Sequence, residues 1–295
     1  MSEYVLSCCT PIDTTPEWVE ERNIICLPFH FSIGNVHYDD DFWTSWKPEQ
    51  MYARMLAGEE SKTSQVSVGE YTAHFKKYLD QGKDVLHLTL SSGISGTHNS
   101  AMVAAMEIKE QYPDRKLIVM DSLAASAGFG LLMDRLATLR DEGKTIDELA
   151  TYVRKNRLLV HHWFFSSDLT FYIKGGRVTK TAGFFGNLLN INPLLHVDNM
   201  GKLIPREKIR TKRKVIERIV EKMEEFADGG HDYDQPCYIS HSACLQDAEA
   251  VKSLIEQRFP KMKDKVEIYN VGPMIGCHTG PGTVALFFWG DRRKE

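Results

Sequence analysis

The sequence predicts an α/β protein of two domains, with a mostly parallel sheet in the N-terminal domain and a second α/β domain after it. Its 295 residues exceed the usual size of one domain. Strand-like segments alternate with helix-like segments, an order that produces parallel strands joined by right-handed crossovers. One apolar strand, at 85–90, runs through a small-residue loop directly into a helix. We place the two domains at residues 1–157 and 158–295.

The composition indicates a globular protein that works in the cytoplasm. Hydrophobic residues make up 42% and charged residues 26% of the chain, and a net charge of −4 gives no overall attraction to nucleic acid. We find neither an apolar run of the roughly 18–20 residues that span a bilayer nor a secretory signal. The six cysteines form no CxxC pair, so we expect reduced thiols. The histidines lack metal-ligand spacing, and we expect no metal or other cofactor.

Capping signals and glycines delimit the elements of the first domain. Thr15 before Pro16 is typical of a helix start, and 67–70 and 145–148 have the spacing of capping boxes. The acidic run 39–41 lacks the ligand pattern of an EF-hand and is predicted to be a solvated turn. The predicted strands cover 4–8, 24–33, 85–90 and 116–120, with a hairpin turn at 34–35 and a polar segment at 61–65. The predicted helices start at 15 and cover 48–57, 67–80, 97–110, 125–140 and 145–156.

The second domain has fewer helices and a second set of strands. A hairpin is predicted around 198–201, and the glycine-rich and proline-rich stretch 272–282 is predicted to be a rigid loop. The other predicted strands are 159–165, 237–242, 266–271 and 283–289. The predicted helices are a short one ending at 174 and longer ones at 211–227 and 246–258.

The loop at 91–97, with the sequence SSGISGT, has the features of an anion site. A strand that turns into a helix leaves several N–H groups unpaired, and these donors favour an anion together with the helix dipole. The hydroxyls of Ser92, Ser95 and Thr97 add neutral donors. A phosphate, a carboxylate and a capped turn without ligand are all compatible with this pattern.

Two catalytic or nucleotide-binding interpretations compete with a simple binding site. A serine hydrolase acting on an acyl ester would use Ser95 as nucleophile and His278 as base, but GISGT departs from the GxSxG elbow at its last position. No acid partner stands out either. The phosphate-binding patterns GxxxxGK[ST] and GxGxxG are absent from the strand-to-helix turns, which argues against ATP binding.

Four polar segments together resemble the DegV family of bacterial fatty-acid-binding proteins. They are KTSQ at 62–65, SSGISGT at 91–97, GGR at 175–177 and IGCHTGPG at 275–282. LLNINP at 188–193 and the basic RTKRK at 210–214 extend the resemblance over essentially the whole chain. It implies a two-domain DegV-like fold.

The resemblance also implies a function without catalysis. The protein would hold one long-chain fatty acid in an apolar tunnel and present its carboxyl group to a fatty acid kinase, which makes an acyl phosphate for phospholipid synthesis. By the family's pattern, Thr63 and Ser95 would bind the carboxylate, and Arg177 and His278 would complete the polar end. The same segments add further carboxylate-binding positions, at Ser64, Ser92 and Gly96. The candidate tunnel walls are Phe164, Phe165, Phe184, Phe185, Leu188, Leu189 and Met274, each of which is also compatible with ordinary core packing.

The chain departs from the family's pattern at its first strand and after the TSQ segment, and its basic stretch has two interpretations. Cys8 and Cys9 stand where members usually have a TDS-like turn, and Val66 stands where a proline often follows TSQ. Residues 206–214 carry six cations against one acid. This stretch is either a solvated surface or a docking patch for an acidic kinase face or an anionic membrane surface.

Overall fold

The computed structural model of the protein describes residues 3–179 and 191–294. Its strands, in chain order, are β1 (Tyr4–Cys9), β2 (Ile25–Leu27), β3 (His30–Ile33), β4 (Val36–Asp39), β5 (Ser61–Ser64), β6 (Asp84–Thr89), β7 (Leu117–Asp121), β8 (Val160–Ser166), β9 (Ile191–Val197), β10 (Leu203–Arg210), β11 (Cys237–His241), β12 (Val266–Asn270) and β13 (Thr283–Trp289). Its α-helices are α1 (Pro16–Glu21), α2 (Pro48–Leu56), α3 (Val68–Leu79), α4 (Thr97–Ile108), α5 (Ser126–Asp141), α6 (Ile146–Asn156), α7 (Thr170–Lys174), α8 (Lys212–Phe226), α9 (Leu245–Arg258) and α10 (Pro273–Thr279). The capping boxes predicted before α3 and α6 are both present.

The first sheet is parallel, which confirms the prediction for the N-terminal half. Its strand order is β2-β1-β6-β7, and each neighbouring pair is parallel. Helices α3 and α4 cover one face and α5 and α6 the other, so every residue of β6 is buried. The loop after β6 therefore leaves the carboxyl end of a central strand, where open α/β sheets bind ligands.

The second sheet is mixed, with strand order β10-β9-β8-β13-β11-β12. Among its described strands, β11 and β12 are parallel and the other neighbours are antiparallel. The predicted hairpin around 198–201 is confirmed, because Val197 pairs with Leu203 across it.

Helix α5 lies between these two sheets. Every residue from 126 to 134 is buried, and one apolar cluster joins residues of β6, α5 and β13. A Cβ atom on Gly128 would lie 2.4 Å from His162 Nε2 of the second sheet, so this close approach requires glycine. The two halves of the chain share a core through this helix, and the division at 157/158 stays a prediction.

A third, small antiparallel sheet has the order β4-β3-β5. The single strand predicted over 24–33 is wrong, because β2 belongs to the first sheet and β3 to the third. Pro28 lies between them and has no N–H for a ladder, so the chain changes sheets there. The polar segment at 61–65 forms strand β5, where Thr63 pairs with Phe31 of β3.

The rigid loop predicted over 272–282 is also wrong, since most of it forms helix α10. Pro273 occupies the first turn, and Gly280 ends the helix with a φ of 63°. The glycine within the helix has a packing reason, because a Cβ on Gly276 would lie 2.7 Å from Tyr52 Oη.

The acidic run at 39–41 is not a fully solvated turn. Asp40 is 2% exposed, and its carboxyl group accepts a hydrogen bond from the Phe42 N–H at 3.4 Å. Burial raises the pKa of Asp40 to about 7. Three consecutive acids look solvated in the sequence, but the middle one lies against the chain that precedes α10, where a Cβ on Gly272 would be 3.7 Å from Asp40 Oδ2.

Candidate functional site

A cavity of about 370 Å³ lies where the three sheets meet. Its wall includes Thr63 of β5, Ser95 of the loop after β6, Arg177 after α7 and His278 of α10. The four segments singled out in the sequence therefore converge here, although more than 200 residues separate the first from the last. This volume falls toward the lower end of the roughly 300–1,000 Å³ typical of small-molecule sites.

The imidazole of His278 joins two of the polar groups. Its Nε2 lies 2.8 Å from Thr63 Oγ1, and its Nδ1 lies 3.5 Å from Arg177 Nη1. A guanidinium can only donate, so Nδ1 accepts and Nε2 carries the proton that is donated to Thr63. The hydroxyl hydrogen of Thr63 thus stays available to a ligand. Burial, and then the charge of Arg177, lower the pKa of His278 to about 4, which keeps the ring neutral at pH 7.

Arg177 brings a positive charge to the same end of the cavity. Its side chain is half-buried and donates to two carbonyl oxygens, those of Gly175 at 2.5 Å and Ile94 at 3.3 Å. Desolvation lowers the pKa of its guanidinium. Within the described residues it forms no ion pair with a carboxylate, so an anionic ligand would supply the missing countercharge.

The loop at 91–97 contributes hydroxyl and backbone groups. Ser95 Oγ accepts a hydrogen bond from the Thr97 N–H at 3.3 Å, which leaves the Ser95 proton free to be donated. The Thr97 hydroxyl is itself held by the Tyr71 hydroxyl at 2.6 Å. Gly96 lies against Gln65, whose Oε1 would be 2.9 Å from a Cβ at that position. Ser95, Gly96 and Ser64 of β5 all line the cavity.

Ser92 does not line the cavity, contrary to the prediction. Its side chain is exposed, and its N–H donates to Asp121 Oδ1 at 3.1 Å. The loop turns immediately after β6, and the Ser91 hydroxyl holds this turn by accepting a hydrogen bond from the Gly93 N–H at 3.1 Å. The same hydroxyl donates to the Gly201 carbonyl of the hairpin at 2.8 Å.

The rest of the wall is largely apolar. Phe164 and Met274 line the cavity as predicted from the sequence. Phe165 does not, because successive strand residues point to opposite faces; its ring lies under Lys212, with Nζ 5.5 Å from the ring centre. The predicted wall residues Phe184, Phe185, Leu188 and Leu189 lie outside the described residues. Further apolar lining residues are Phe29, Leu90, Ile94, Ala125, Val197, Leu203, Val271, Ile275, Ala285 and Phe287.

Several of these lining residues were not predicted from the sequence, although the alternation of side chains along the strands contains a signal for them. Strands β8 and β13 pair His162 with Phe287 and Phe164 with Ala285, and all four side chains face the cavity. The alternation along each strand predicts that residues two positions apart share a face. Only the pairing of β8 with β13 brings the residues of the two strands together on one wall. Val197 and Leu203 flank the predicted hairpin and could have been found in the same way.

A buried acidic cluster lies beside the cavity. The lining residue Ser126 donates to Asp13 and lies 3.1 Å from Ser240 Oγ. Burial raises the pKa of Asp13 to about 7. Asp13 Oδ1 and Asp40 Oδ2 have no hydrogen-bond partner within the described chain. Both atoms lie near Gly272, because a Cβ on that residue would be 2.7 Å from Asp13 Oδ1 and 3.7 Å from Asp40 Oδ2.

The geometry does not assemble a serine hydrolase triad from the described residues. His278 bonds to Thr63 and approaches Arg177, and Ser95 interacts with the Thr97 N–H. No acidic side chain contacts His278 in the part of the chain that the structure describes. Ser95 therefore lacks the hydrogen-bonded base that an activated nucleophile requires.

None of the described helices combines the length and the apolar character needed to cross a bilayer.

Comparison with known proteins identifies relatives over almost the whole chain. The sequence pattern that defines the DegV family, described as uncharacterised proteins, matches residues 10–291. A DegV domain-containing protein of Clostridium perfringens is 33% identical over 294 residues, with 100% of each chain covered.

Solved structures show the same fold. A fatty acid binding DegV family protein of Streptococcus agalactiae is 27% identical and has a TM-score of 0.83, with 99% of this chain and 100% of that chain covered. The B3 protein of the Streptococcus pneumoniae fatty acid kinase, loaded with linoleic acid, is 21% identical and also has a TM-score of 0.83, with coverages of 98% and 100%. At 21% identity, the similarity to this second protein shows a shared fold and nothing further.

Proposed function

The chain belongs to the DegV family, and from this membership we propose that it binds one long-chain fatty acid in its cavity without catalysing a reaction. The observation that carries the proposal is the division of the cavity into two parts. One end gathers hydroxyls, a neutral imidazole and a guanidinium without an acidic partner in the described chain, and the remaining wall is mainly apolar. A molecule with an acidic head and a hydrocarbon tail matches both parts.

The carboxylate is assigned to the polar end. Thr63 and Ser95 each have a hydroxyl hydrogen to donate, and Arg177 supplies the countercharge through its remaining N–H groups. His278 fixes the Thr63 hydroxyl and the Arg177 guanidinium relative to one another. Ser64 and Gly96 border this end, and Ser92 is left out of the proposed site because it does not line the cavity.

The hydrocarbon tail dominates the proposed affinity. Burial of a methylene contributes about 0.8 kcal/mol, so sixteen carbons give on the order of 10 kcal/mol before the costs of association and ordering. Phe164, Met274 and Phe287 are proposed to contact the tail. Phe184, Phe185, Leu188 and Leu189 stay predictions for the same tunnel.

We also propose that the bound acid is presented to a fatty acid kinase in the cytoplasm, which forms an acyl phosphate for phospholipid synthesis. Support comes from the family and from the kinase named in the Streptococcus pneumoniae neighbour. Hydroxyl donors suit a carrier that must release its ligand for transfer, because they bind a carboxylate less strongly than a buried bidentate arginine pair would.

The basic stretch offers a surface for docking to the kinase or, transiently, to an anionic membrane. Arg206, Lys208 and Arg210 alternate along the edge strand β10 and are exposed. Arg206 donates to His196 Nε2 at 2.8 Å, and the Lys212 Nζ pairs with Asp247 at 2.7 Å. Docking predicts that kinase binding weakens with added salt and with Arg210→Glu, and unchanged binding would contradict it. Nucleic acid is not an expected partner.

Native mass spectrometry of the gently purified protein tests the main proposal. We expect a co-purified long-chain fatty acid, reduced or lost in Thr63→Val and in Ser95→Ala. Ser92→Ala is the matched control, because it removes a hydroxyl from the same loop outside the cavity and should keep the ligand. A protein that stays empty after incubation with oleate contradicts binding. Labelling of Ser95 by a fluorophosphonate would instead favour the hydrolase.

A further inference from the structure

Cys8 and Cys26 face each other across the edge of the first sheet. They are register partners on the parallel strands β1 and β2, and their Sγ atoms are 3.5 Å apart. Neighbouring strands lie roughly 4.7–4.9 Å apart, which is within the roughly 4.4–6.8 Å between the Cα atoms of disulfide-bonded cysteines. A covalent bond therefore needs a movement of the two sulfur atoms and no rearrangement of the sheet.

The two thiols differ in their access to solvent. Cys8 is buried, whereas Cys26 is partly exposed on β2, a three-residue strand at the edge of the sheet. A partly exposed thiol beside a buried one is the arrangement in which the first can react with an oxidant and the second can resolve the product. Cys9 points to the other face of β1, where its Sγ lies 3.3 Å from the Tyr71 hydroxyl.

We propose that Cys8 and Cys26 form a reversible disulfide when the protein meets hydrogen peroxide. The Cys26 thiolate attacks one peroxide oxygen, which forms a sulfenic acid and releases hydroxide that is protonated to water. Cys8 sulfur then attacks the Cys26 sulfur, the S–S bond forms, and the sulfenic hydroxyl leaves as water with the Cys8 proton. The two sulfurs give up two electrons, which reduce the peroxide to two waters.

The chain runs from each cysteine toward the cavity wall, although the proposal does not depend on the ligand. Phe29 lines the cavity and follows Cys26 by three residues, and its N–H donates to Thr10 Oγ1 at 3.1 Å. Burial raises the pKa of the Cys8 thiol well above its usual value, so the first step falls to Cys26.

Thiol counting on the full-length protein tests the proposal. The reduced protein is treated with hydrogen peroxide, denatured and alkylated, and we expect two of its six thiols to escape alkylation until dithiothreitol is added. Trypsin cleaves after Arg22, so Cys8 and Cys26 lie on different peptides that the disulfide links. The linked peptide should be absent from Cys26→Ser and from Cys8→Ala.

Matched variants test whether the other cysteines take part in the disulfide. Cys9→Ala removes the second thiol of the same peptide, and Cys237→Ser removes a buried thiol elsewhere; both should keep the link. The proposal is overturned if all six thiols remain alkylated after peroxide, or if Cys26 accumulates as sulfinic acid while Cys8 is still alkylated. Two thiols that still escape alkylation in Cys26→Ser also overturn it, because another pair of cysteines would then be oxidised.

Discussion

At the scale of single residues, the polar end of the cavity depends on one imidazole with defined roles for its two nitrogens. Arg177 approaches Nδ1 and Thr63 bonds to Nε2 of His278. The ring therefore orients a hydroxyl and a cation without carrying charge itself. In this arrangement, the contribution of charge to fatty acid binding comes from Arg177, and that of neutral hydrogen bonding comes from the hydroxyl.

Arg177→Gln should weaken fatty acid binding roughly tenfold, because a hydrogen bond to a charged group contributes about 1.5–3 kcal/mol and this side chain is partly solvated. Binding of the corresponding fatty alcohol should change little. The variant should also raise the pKa of His278, since the charge of Arg177 lowers it in the native protein. Displacement of a fluorescent fatty acid measures the affinities, and an NMR titration measures the pKa.

The control for this substitution is Arg213→Gln, which changes an exposed arginine that does not line the cavity. Equal losses of acid and alcohol binding in Arg177→Gln would show that the side chain acts through packing. In that event the proposed charge role would be wrong.

Much of the polar end could be predicted from the sequence, but only through motifs. Thr63 and His278 are 215 positions apart, and no spacing rule joins them; the resemblance to a family did so. Two of the predicted positions do not line the cavity. Ser92 and Phe165 have the right side chains, but the path of a turn and the alternation of a strand place them outside the cavity.

At the scale of elements, α10 shows why composition misled the prediction. Glycine and proline are signals for loops, yet here Pro273 begins the helix and Gly276 permits close packing against Tyr52 and Met51. The helix carries both Met274 and His278 to the cavity. Its short length gives it little stability of its own, so packing must hold it in place.

Gly276→Ala should destabilise the protein although alanine favours helices by about 1 kcal/mol over glycine. The new Cβ would lie 2.7 Å from Tyr52 Oη and 2.8 Å from Met51 Cε, so buried side chains must shift. We expect a lower melting temperature and weaker fatty acid binding, measured by thermal unfolding with and without oleate.

Gly69→Ala is the matched control in α3, where a Cβ would meet nothing within 4 Å. It should leave the melting temperature unchanged or raise it. If both substitutions behave alike, helix propensity governs the outcome and the packing explanation for Gly276 fails.

At the scale of the whole molecule, the three sheets meet around α5, α10 and the buried acids. The parallel sheet and the alternation of elements were predictable because they depend on local patterns repeated along the chain. The junction was not, because it joins Asp13 after β1, Ser126 of α5 and Ser240 of β11. Nothing in the sequence near Asp13 marks it as buried, and its burial follows from the packing of all three sheets.

Asp13→Asn should therefore stabilise the protein increasingly as the pH rises from about 4 to 7. In the folded state burial raises the pKa of Asp13 from 3.8 to about 7, so the native protein binds a proton that the unfolded chain has already lost in this range. Stability from this group is fully present below the unfolded pKa and is lost as the pH approaches the folded one. Asparagine does not titrate, so the difference in unfolding free energy between variant and native protein should grow by at most about 1.4 kcal/mol per pH unit and level off above 7.

Chemical denaturation at pH 5, 6, 7 and 8 measures this difference, in which the titration of the buried histidines common to both proteins largely cancels. A constant difference for Asp13→Asn would mean that the Asp13 carboxyl ionises alike in both states, and the buried junction would then have to admit water.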